Sequence, residues 1–505
     1  MKKLLTPLIT VILTIFCFSS IEAQIPIGYD LDLHLLNWIK SNVSQSTHLP
    51  LSFYIPPQAK KQIYQQMDSS GQINGAIERT ITKEGLDIYD GAVYQIVLTM
   101  AGGSQDLQQA FVPLDYYWRG SIGKLGSDIR SGYPINLFVY DTKHPEAVSS
   151  DNNSFGRRGF IFRIIDANGE FLVNDPKDGS KTMAGFPQED RLHWVDWKPV
   201  AGENAWVVMA SMQLYYKKYC DPSKDTCNYD TNSVEIRLSE ELARAAMMLQ
   251  SQCGGIRMAP LGTYMALSKK DKRNFTNNNW WYEHISTENN ISWYAALRML
   301  YQITGKTEYK QAMDGIEKYM HFVWDTKERI FQQGAYEING QWVISREHFA
   351  LDVQTWGLDC FGPQKLDAWF GQGASFHMWQ AAKKHAGFFD AQDQITGVGF
   401  TDEHDRISVE WTAGAIIALE GLGEYYMKTN PVWGQEASND KMTMRRSMEK
   451  LRYKISDTQE AYSYSSRRGW VPFGWNSHDP RVMSMASTGW MIFVDAGVNP
   501  FWFIH

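Results

Sequence analysis

Six segments along the chain share a pattern that leaves few folds open. Each begins with a polar residue or two and continues as a helix whose apolar and small residues fill nearly every side. They are YDGAVYQIVL from Tyr89, ENAWVVMASMQLYY from Glu203, ENNISWYAALRMLYQI from Glu288, LDVQTWGLDCF from Leu351, EWTAGAIIALEGL from Glu410 and SMASTGWMIFV from Ser484. A helix that is apolar all round is buried all round. Six of them must therefore cover one another and be covered by a second layer.

The second layer is also legible. SEELARAAMMLQSQ from Ser239, TEYKQAMDGIEKYMHFV from Thr307 and DKMTMRRSMEKLRYKI from Asp440 carry their charges on one face. Ser239 and Thr307 suit N-caps, and Gly254 suits the end of the first of these helices. Gly305-Lys306 reads as a short turn joining a buried helix to its amphipathic follower. Further outer partners fall near residues 104–118 and 375–386. This alternation predicts a mainly α protein, an (α/α)6 toroid with the buried helices as inner ring and the amphipathic ones outside.

A small β-rich insertion is expected near 131–197, where YPINLFVY, GFIFRIIDANGEFLV and HWVDW read as strands and DANGE as an Asn-Gly hairpin turn. A lead-in helix, YDLDLHLLNWIKS, is expected near 29–41. Residues 1–23 have the form of a signal peptide: Lys2 and Lys3, an apolar run to Phe18, and a small-residue exit at Ala23. That run is short for a membrane span. The remainder, 24–505, reads as a single domain exported to the periplasm or the cell exterior.

In a ring of like-handed hairpins every inner helix runs the same way, so the six polar openings meet on one face. Asp90, Glu203, Glu288, Asp352 and Glu410 then ring one pocket. Asn204, Asn289, Asn290, Gln354 and Asn476 supply amides, and Trp206, Trp281, Trp293, Trp356, Trp411 and Trp475 supply flat apolar faces. The loop NNNWWYEHIS from Asn277 adds Tyr282 and His284 as contacts, or as plain surface residues. Sugar rings stack on indoles while their hydroxyls bond amides and carboxylates. Cleaving a glycosidic bond takes one protonated and one ionised carboxyl group, and crowding carboxyls in a partly apolar cleft separates their pKa values in that sense. The plainer reading of each acid is a helix-dipole interaction worth about 0.3–1 kcal/mol. Ser or Thr would cap as well, yet five of the six openings carry Asp or Glu within two residues.

Other chemistries find less support. There is no GxSxG elbow and no phosphate-binding G-x-x-x-x-G-K-[ST] loop. The net charge of −7 becomes −8 once residues 1–23, with two Lys and one Glu, are removed. An acidic chain without a basic run argues against a nucleic-acid partner. No paired CxxC or HxxxH spacing suggests zinc, and no cofactor is expected. DEHDR from Asp402 reads as a solvated loop leading to Glu410, with structural calcium as the alternative. Cys220 and Cys227 bracket DPSKDT and would close a small disulfide loop in an oxidising compartment. Cys253 and Cys360 read as buried thiols.

Taken with ENNISWYAALRMLYQITG and ASTGWMIFVDAGVNPF, the six buried segments resemble the six-hairpin glycosidase superfamily over about residues 85–502. The resemblance implies an (α/α)6 toroid and a carbohydrate substrate. The expectation is a glycoside hydrolase acting on a polysaccharide or oligosaccharide. Glu288 would be the general acid, its pKa raised by Trp281, Tyr282 and Trp293, and Asp352 the base, with Glu410 or Asp90 as substitutes. A polysaccharide lyase on the same toroid would instead use Tyr282 and His284 with Asn289 or Asn290, and would need a basic subsite such as Arg157 with Arg158. A non-catalytic glycan-binding protein would keep the pocket but hold its carboxylates in ion pairs.

Overall fold

The computed structural model describes residues 29–69, 73–121, 160–161, 163–167, 172–174, 181–183, 199–221, 226–260 and 280–504. The signal segment, the YPINLFVY and HWVDW strands and the Arg157–Arg158 pair lie outside the described residues. The helices are α1 (Leu33–Ser41), α2 (Pro57–Ser69), α3 (Ile73–Glu84), α4 (Ile88–Ala101), α5 (Ser104–Ser121), α6 (Ala201–Tyr219), α7 (Val234–Met248), α8 (Trp280–Glu283), α9 (Thr287–Thr304), α10 (Thr307–Val323), α11 (Leu351–Phe361), α12 (Pro363–Phe370), α13 (Ala374–Ala386), α14 (Val409–Thr429), α15 (Pro431–Met448) and α16 (Met485–Ala496).

The six helices expected to be buried all round are α4, α6, α9, α11, α14 and α16. Each packs on the next, and α16 packs back on α4, closing the inner ring. Outside them α5, α7, α10, α13 and α15 pack on α4, α6, α9, α11 and α14 in turn. The sixth outer place, beside α16, is filled by α1 from the opposite end of the chain. The lead-in helix is thus the missing half of the last hairpin. Arg452 Nη2 holds its N-cap Asp32 at 2.7 Å, and strand Phe53–Tyr54 pairs antiparallel with Met483–Ser484 just ahead of α16. The protein is a mainly α (α/α)6 toroid with small antiparallel sheets at its rim.

The centre of the ring is filled, not hollow. Trp206, Trp356 and Trp490, from α6, α11 and α16, lie with ring centroids 5.3–5.8 Å apart. Phe501 closes on Trp206 and Trp356 at 5.4 and 5.6 Å. Such offset and edge-on aromatic packing adds to the hydrophobic gain of burial. It also makes any space on the N-terminal face a blind cavity with an indole floor.

One bonding pattern recurs where segments return from the outer layer to the inner helices. The fourth residue after the N-cap turns outward and grips the passing backbone. Asn204 accepts from Ile161 N–H (2.8 Å) and donates to Ile161 C=O (2.9 Å). Asn290 does the same to Ile256 (2.7 and 3.0 Å), and Gln354 to Phe331 (3.0 and 2.8 Å). Thr412 accepts from Val398 N–H and Thr488 from Tyr462 N–H, both at 3.0 Å. Residues two apart on a helix point about 200° apart. The side chain at the second helical position therefore faces the ring axis, and on α9, α11 and α14 that side chain is Glu288, Asp352 and Glu410.

Some local expectations are corrected. α7 begins at Val234, capped by Ser233 on Ile236 N–H at 3.2 Å, while Ser239 is buried inside the helix. Gly254 lies beyond the end of α7 at φ 98°, where a Cβ would stand 2.0 Å from the Gly315 carbonyl oxygen; only Gly fits that approach. α15 starts at Pro431, nine residues before Asp440, because Pro is favoured in the first turn of a helix. Thr307 is the first residue of α10 and not its cap. In the insertion, Ile164–Asp166 pairs with Gly85–Asp87 and Leu172–Asn174 with Lys181–Met183. The Asn168-Gly169 turn expected in DANGE lies outside the described residues.

Asn290→Ala would leave the buried N–H and C=O of Ile256 and the Ser286 carbonyl without that partner. Urea denaturation should show a loss of at least about 2 kcal/mol; a loss below about 0.5 kcal/mol would contradict the clamp's structural role.

Candidate active site

The inner helices open on a cavity of about 330 Å³. Asp90, Glu203, Glu288, Asp352 and Glu410 all line it, although Asp90 and Glu410 are more than 300 residues apart in sequence. Trp206 and Trp356 form its floor, and Trp411, Trp475 and Asn476 stand on its wall.

On α4, α9 and α14 these acids are not the capping residues. Side-chain caps on α4, α9 and α14 come from Asp87, Ser286 and Ser408, which accept from Tyr89, Asn289 and Trp411 N–H. Asp352 does accept from Val353 N–H at 2.8 Å. Of the five, Glu203 alone has an ion-pair partner among the described residues, Arg163 Nε at 3.3 Å.

Burial and crowding set the protonation of the ring. Burial, reinforced by the charges of Asp352 and Glu203, pushes Glu288 well above the ordinary carboxylate range. Burial lifts Asp352 to about 7. Glu410 also rises to about 7, through burial and the charge of Asp352, opposed by a hydrogen bond from Tyr89. Asp90 reaches about 8 by burial and the charge of Glu410, against a bond from Ser52.

Two contacts orient the acids. Tyr89 Oη donates to Glu410 Oε1 at 2.6 Å and itself accepts Trp490 Nε1–H at 2.6 Å. An indole N–H can only donate, so Tyr89 has its proton free for Glu410. Ser292 Oγ donates to Glu288 Oε1 at 3.0 Å. Gly202 occupies the second position of α6. A Cβ there would lie 2.3 Å from Asn289 Oδ1 and 3.2 Å from Glu288 Oε2, so the absent side chain makes room for the acid.

Several expected contacts are not brought to the cavity. Asn204, Asn290 and Gln354 spend their amides on the backbone clamps. Trp293 is core, its Nε1 donating to Ala201 C=O at 2.8 Å. Tyr282 is buried under the Arg257 guanidinium, 4.1 Å from its ring centre. His284 stacks on Trp280 at 4.1 Å. Neither of these two lines the cavity, nor do Trp281 and Asn289. DEHDR is partly inward: Arg406 is buried, ion-paired to Asp405 and bonded to Ser477 Oγ at 2.9 Å. No metal-binding group of side chains is found among the described residues. Cys220 and Cys227 are disulfide-bonded.

Sequence reasoning named Trp475 and Asn476 of one wall but missed Glu78. Glu78 of α3 receives Arg468 Nη2 at 2.5 Å and His478 Nδ1 at 3.2 Å, and Glu78 and His478 line the cavity with Trp470 and Tyr464. Arg468 and His478 outweigh burial and hold Glu78 below the usual range. Glu78 and His478 are 400 residues apart and follow no shared pattern.

No family model matches the sequence, and no curated protein matches it. Solved structures do. A sugar epimerase from a ruminal bacterium is similar at TM-score 0.53 and 8% identity, over 93% of this chain and 97% of that one. Cellobiose 2-epimerase from Bacillus thermoamylovorans gives 0.51 and 10%, over 92% and 96%. D-mannose isomerase gives 0.51 and 9%, over 92% and 95%. At these identities the likeness is one of fold, the (α/α)6 toroid.

A carboxyl group held protonated by folding makes stability fall as pH rises from its ordinary range through its raised value. Thermal melts should therefore show Asp352→Asn gaining on the parent between about pH 4 and pH 7, the window set by an ordinary value of 3.8 and a folded value of about 7. A difference that stays flat across that range would contradict the shift.

Proposed function

We propose that this protein is an exported glycoside hydrolase acting on a polysaccharide or oligosaccharide. The observation that carries the reading is the meeting of Glu288, Asp352 and Glu410 at one helical register, above an indole floor, with burial raising all three carboxyl groups, Asp352 and Glu410 to about 7. Such a ring can hold one carboxyl protonated beside another that is ionised, which is the division glycosidic cleavage needs. Overall likeness to carbohydrate-acting proteins of the same fold supports the substrate class.

Glu288 is assigned as the proton donor to the leaving oxygen, because burial, reinforced by the charges of Asp352 and Glu203, holds its proton in place. Glu410 is assigned as base or nucleophile, because Tyr89 aims a hydrogen bond at its Oε1 and favours the ionised form. This moves the ionised role from Asp352 to Glu410 and leaves Asp352 to keep Glu288 protonated. The lyase alternative loses support, since Tyr282 and His284 stand off the cavity. A glycan-binding protein with neutralised acids is disfavoured by the lack of cation partners for Asp90, Glu288, Asp352 and Glu410 among the described residues. A second reading, sugar epimerisation, draws on the Glu78–His478 pair in the cavity wall, which suits proton transfer. Deuterium uptake into a recovered sugar without bond cleavage would select it.

Glu288→Gln should lower turnover of a natural glycan by about 10²–10⁴-fold and recover most of it on an aryl glycoside, whose leaving group needs no proton. Glu410→Gln should be inactive on both. Equal recovery by both variants, or full activity of Glu288→Gln on the natural glycan, would overturn the assignment. Tyr89→Phe removes a bond to the ionised form of Glu410, so the acidic limb of the kcat/KM profile should move to higher pH. A shift to lower pH would contradict the role given to Tyr89.

A further inference from the structure

One wall of the cavity is built from residues that bond cleavage does not use. Trp470 and Asn476 are register partners in the hairpin that pairs Gly469–Val471 with Trp475–Ser477, so their side chains share one face of it. Both line the cavity, and Trp470 remains 47% exposed. A two-stranded hairpin is marginal alone, and this one is pinned. Arg406 Nη1 donates to Ser477 Oγ at 2.9 Å, while Arg468 Nη2 and Nε reach Glu78 Oε2 and Oε1 at 2.5 and 3.1 Å. An indole held half-exposed on a fixed support beside a cavity presents a flat apolar face to whatever enters.

A second observation on the same wall points to a ligand. His478 lines the cavity at 6% exposure, and its Nδ1 lies 3.2 Å from Glu78 Oε1. Against burial, His478 and Arg468 hold Glu78 below the usual carboxylate range, so it is ionised and can only accept. The shared hydrogen therefore sits on Nδ1, and in the neutral ring Nε2 is left as the acceptor. Nε2 has no partner among the described residues and is not sealed off from the cavity. The rings of Phe53 and Tyr464, centred 4.3 and 5.5 Å away, hold the imidazole in place. Asn476 donates Nδ2 to Glu78 Oε2 at 3.4 Å, and its Oδ1 has no partner among the described residues. Two open acceptors beside an apolar face match the hydroxyls and the C–H face of a sugar. The charge of Glu78 is met by Arg468, so this wall has no unpaired charge to draw a charged sugar.

We propose that this wall is a second sugar subsite, in which an uncharged unit stacks on Trp470 and donates hydroxyl hydrogens to His478 Nε2 and Asn476 Oδ1. A neighbouring unit of the same chain lies over the floor of Trp206 and Trp356, among the acids. Glu78 acts through His478 as a positioning residue, fixing which ring nitrogen is open. The inference rests on the hydrolase reading for where the bond is cut, and it names the substrate as a chain of at least two sugars, one on the α6–α11 floor and one on the hairpin ahead of α16.

The test is binding of Glu288→Gln, which lacks the assigned acid, to an array of neutral and uronic oligosaccharides one to six units long, followed by calorimetric titration of the neutral series bound most tightly. Affinity should rise at least about tenfold from one unit to three. Adding Trp470→Ala should erase most of that rise, and Trp470→Phe should restore part of it, with thermal melts confirming that each variant is folded. Equal affinity for one unit and for longer chains, tightest binding of uronic chains, no binding anywhere on the array, or an undiminished rise in Trp470→Ala would overturn the proposal. Nitrogen-15 NMR of the ligand-free protein, labelled at histidine and held near about pH 8, reads the positioning role. His478 should carry its hydrogen on Nδ1, and that preference should weaken in Glu78→Gln; a hydrogen on Nε2 in the parent would contradict it. Parent-protein assays on the same glycans separate the two claims. Cleavage with the same chain-length preference in the parent and in Trp470→Ala sinks the subsite and leaves the hydrolase. Length-dependent binding through Trp470 without cleavage of any glycan leaves the subsite and sinks the hydrolase.

Discussion

The toroid depends on side chains gripping the backbone of passing segments. Each clamp by Asn204, Asn290 or Gln354 satisfies one N–H and one C=O that would otherwise be buried without partners, a loss of about 1–3 kcal/mol for each such group. The clamp also fixes the rotation of its helix. With the fourth residue committed to the outside, the second is committed to the axis. The carboxyl groups that make the site reactive are aimed by amides that never touch a substrate.

That geometry explains how much was legible in the sequence. The six apolar helices were visible because burial on all sides removes the polar stripe that a surface helix must show. Their acidic openings were visible for a related reason: a charge at the start of such a helix has no surface face to occupy. Asn204, Asn290 and Gln354 looked like substrate contacts because an amide beside a carboxylate at a helix mouth suits either partner. The signal that separates them is spacing. ENN, DVQ and EWT each place an acid two residues before an amide or hydroxyl, on opposite sides of the helix.

Less could be read where distant segments meet without periodicity. α1 belongs to the sixth hairpin, yet no local feature ties Leu33–Ser41 to Met485–Ala496 across the length of the chain. The Glu78 wall is similar, since α3 and the hairpin carrying Trp470, Asn476 and His478 are joined by ion pairs that only folding brings together. Tyr89 was hidden in plain view: a tyrosine in an apolar helix reads as core until Trp490 is seen to donate to its oxygen.

Burial therefore does two things here. It supplies the apolar gain that closes the ring, and it leaves the acids facing the axis short of the solvent that would ionise them. The most direct measurement is a carbon-13 NMR titration of the labelled carboxyl groups in the ligand-free protein. The account predicts at least three resonances, assigned to Asp90, Asp352 and Glu410, moving between about pH 6 and pH 9, in line with their raised values. If every carboxyl group titrates below about pH 5, as unperturbed Asp and Glu do, the acids do not share a desolvated cavity and the account fails.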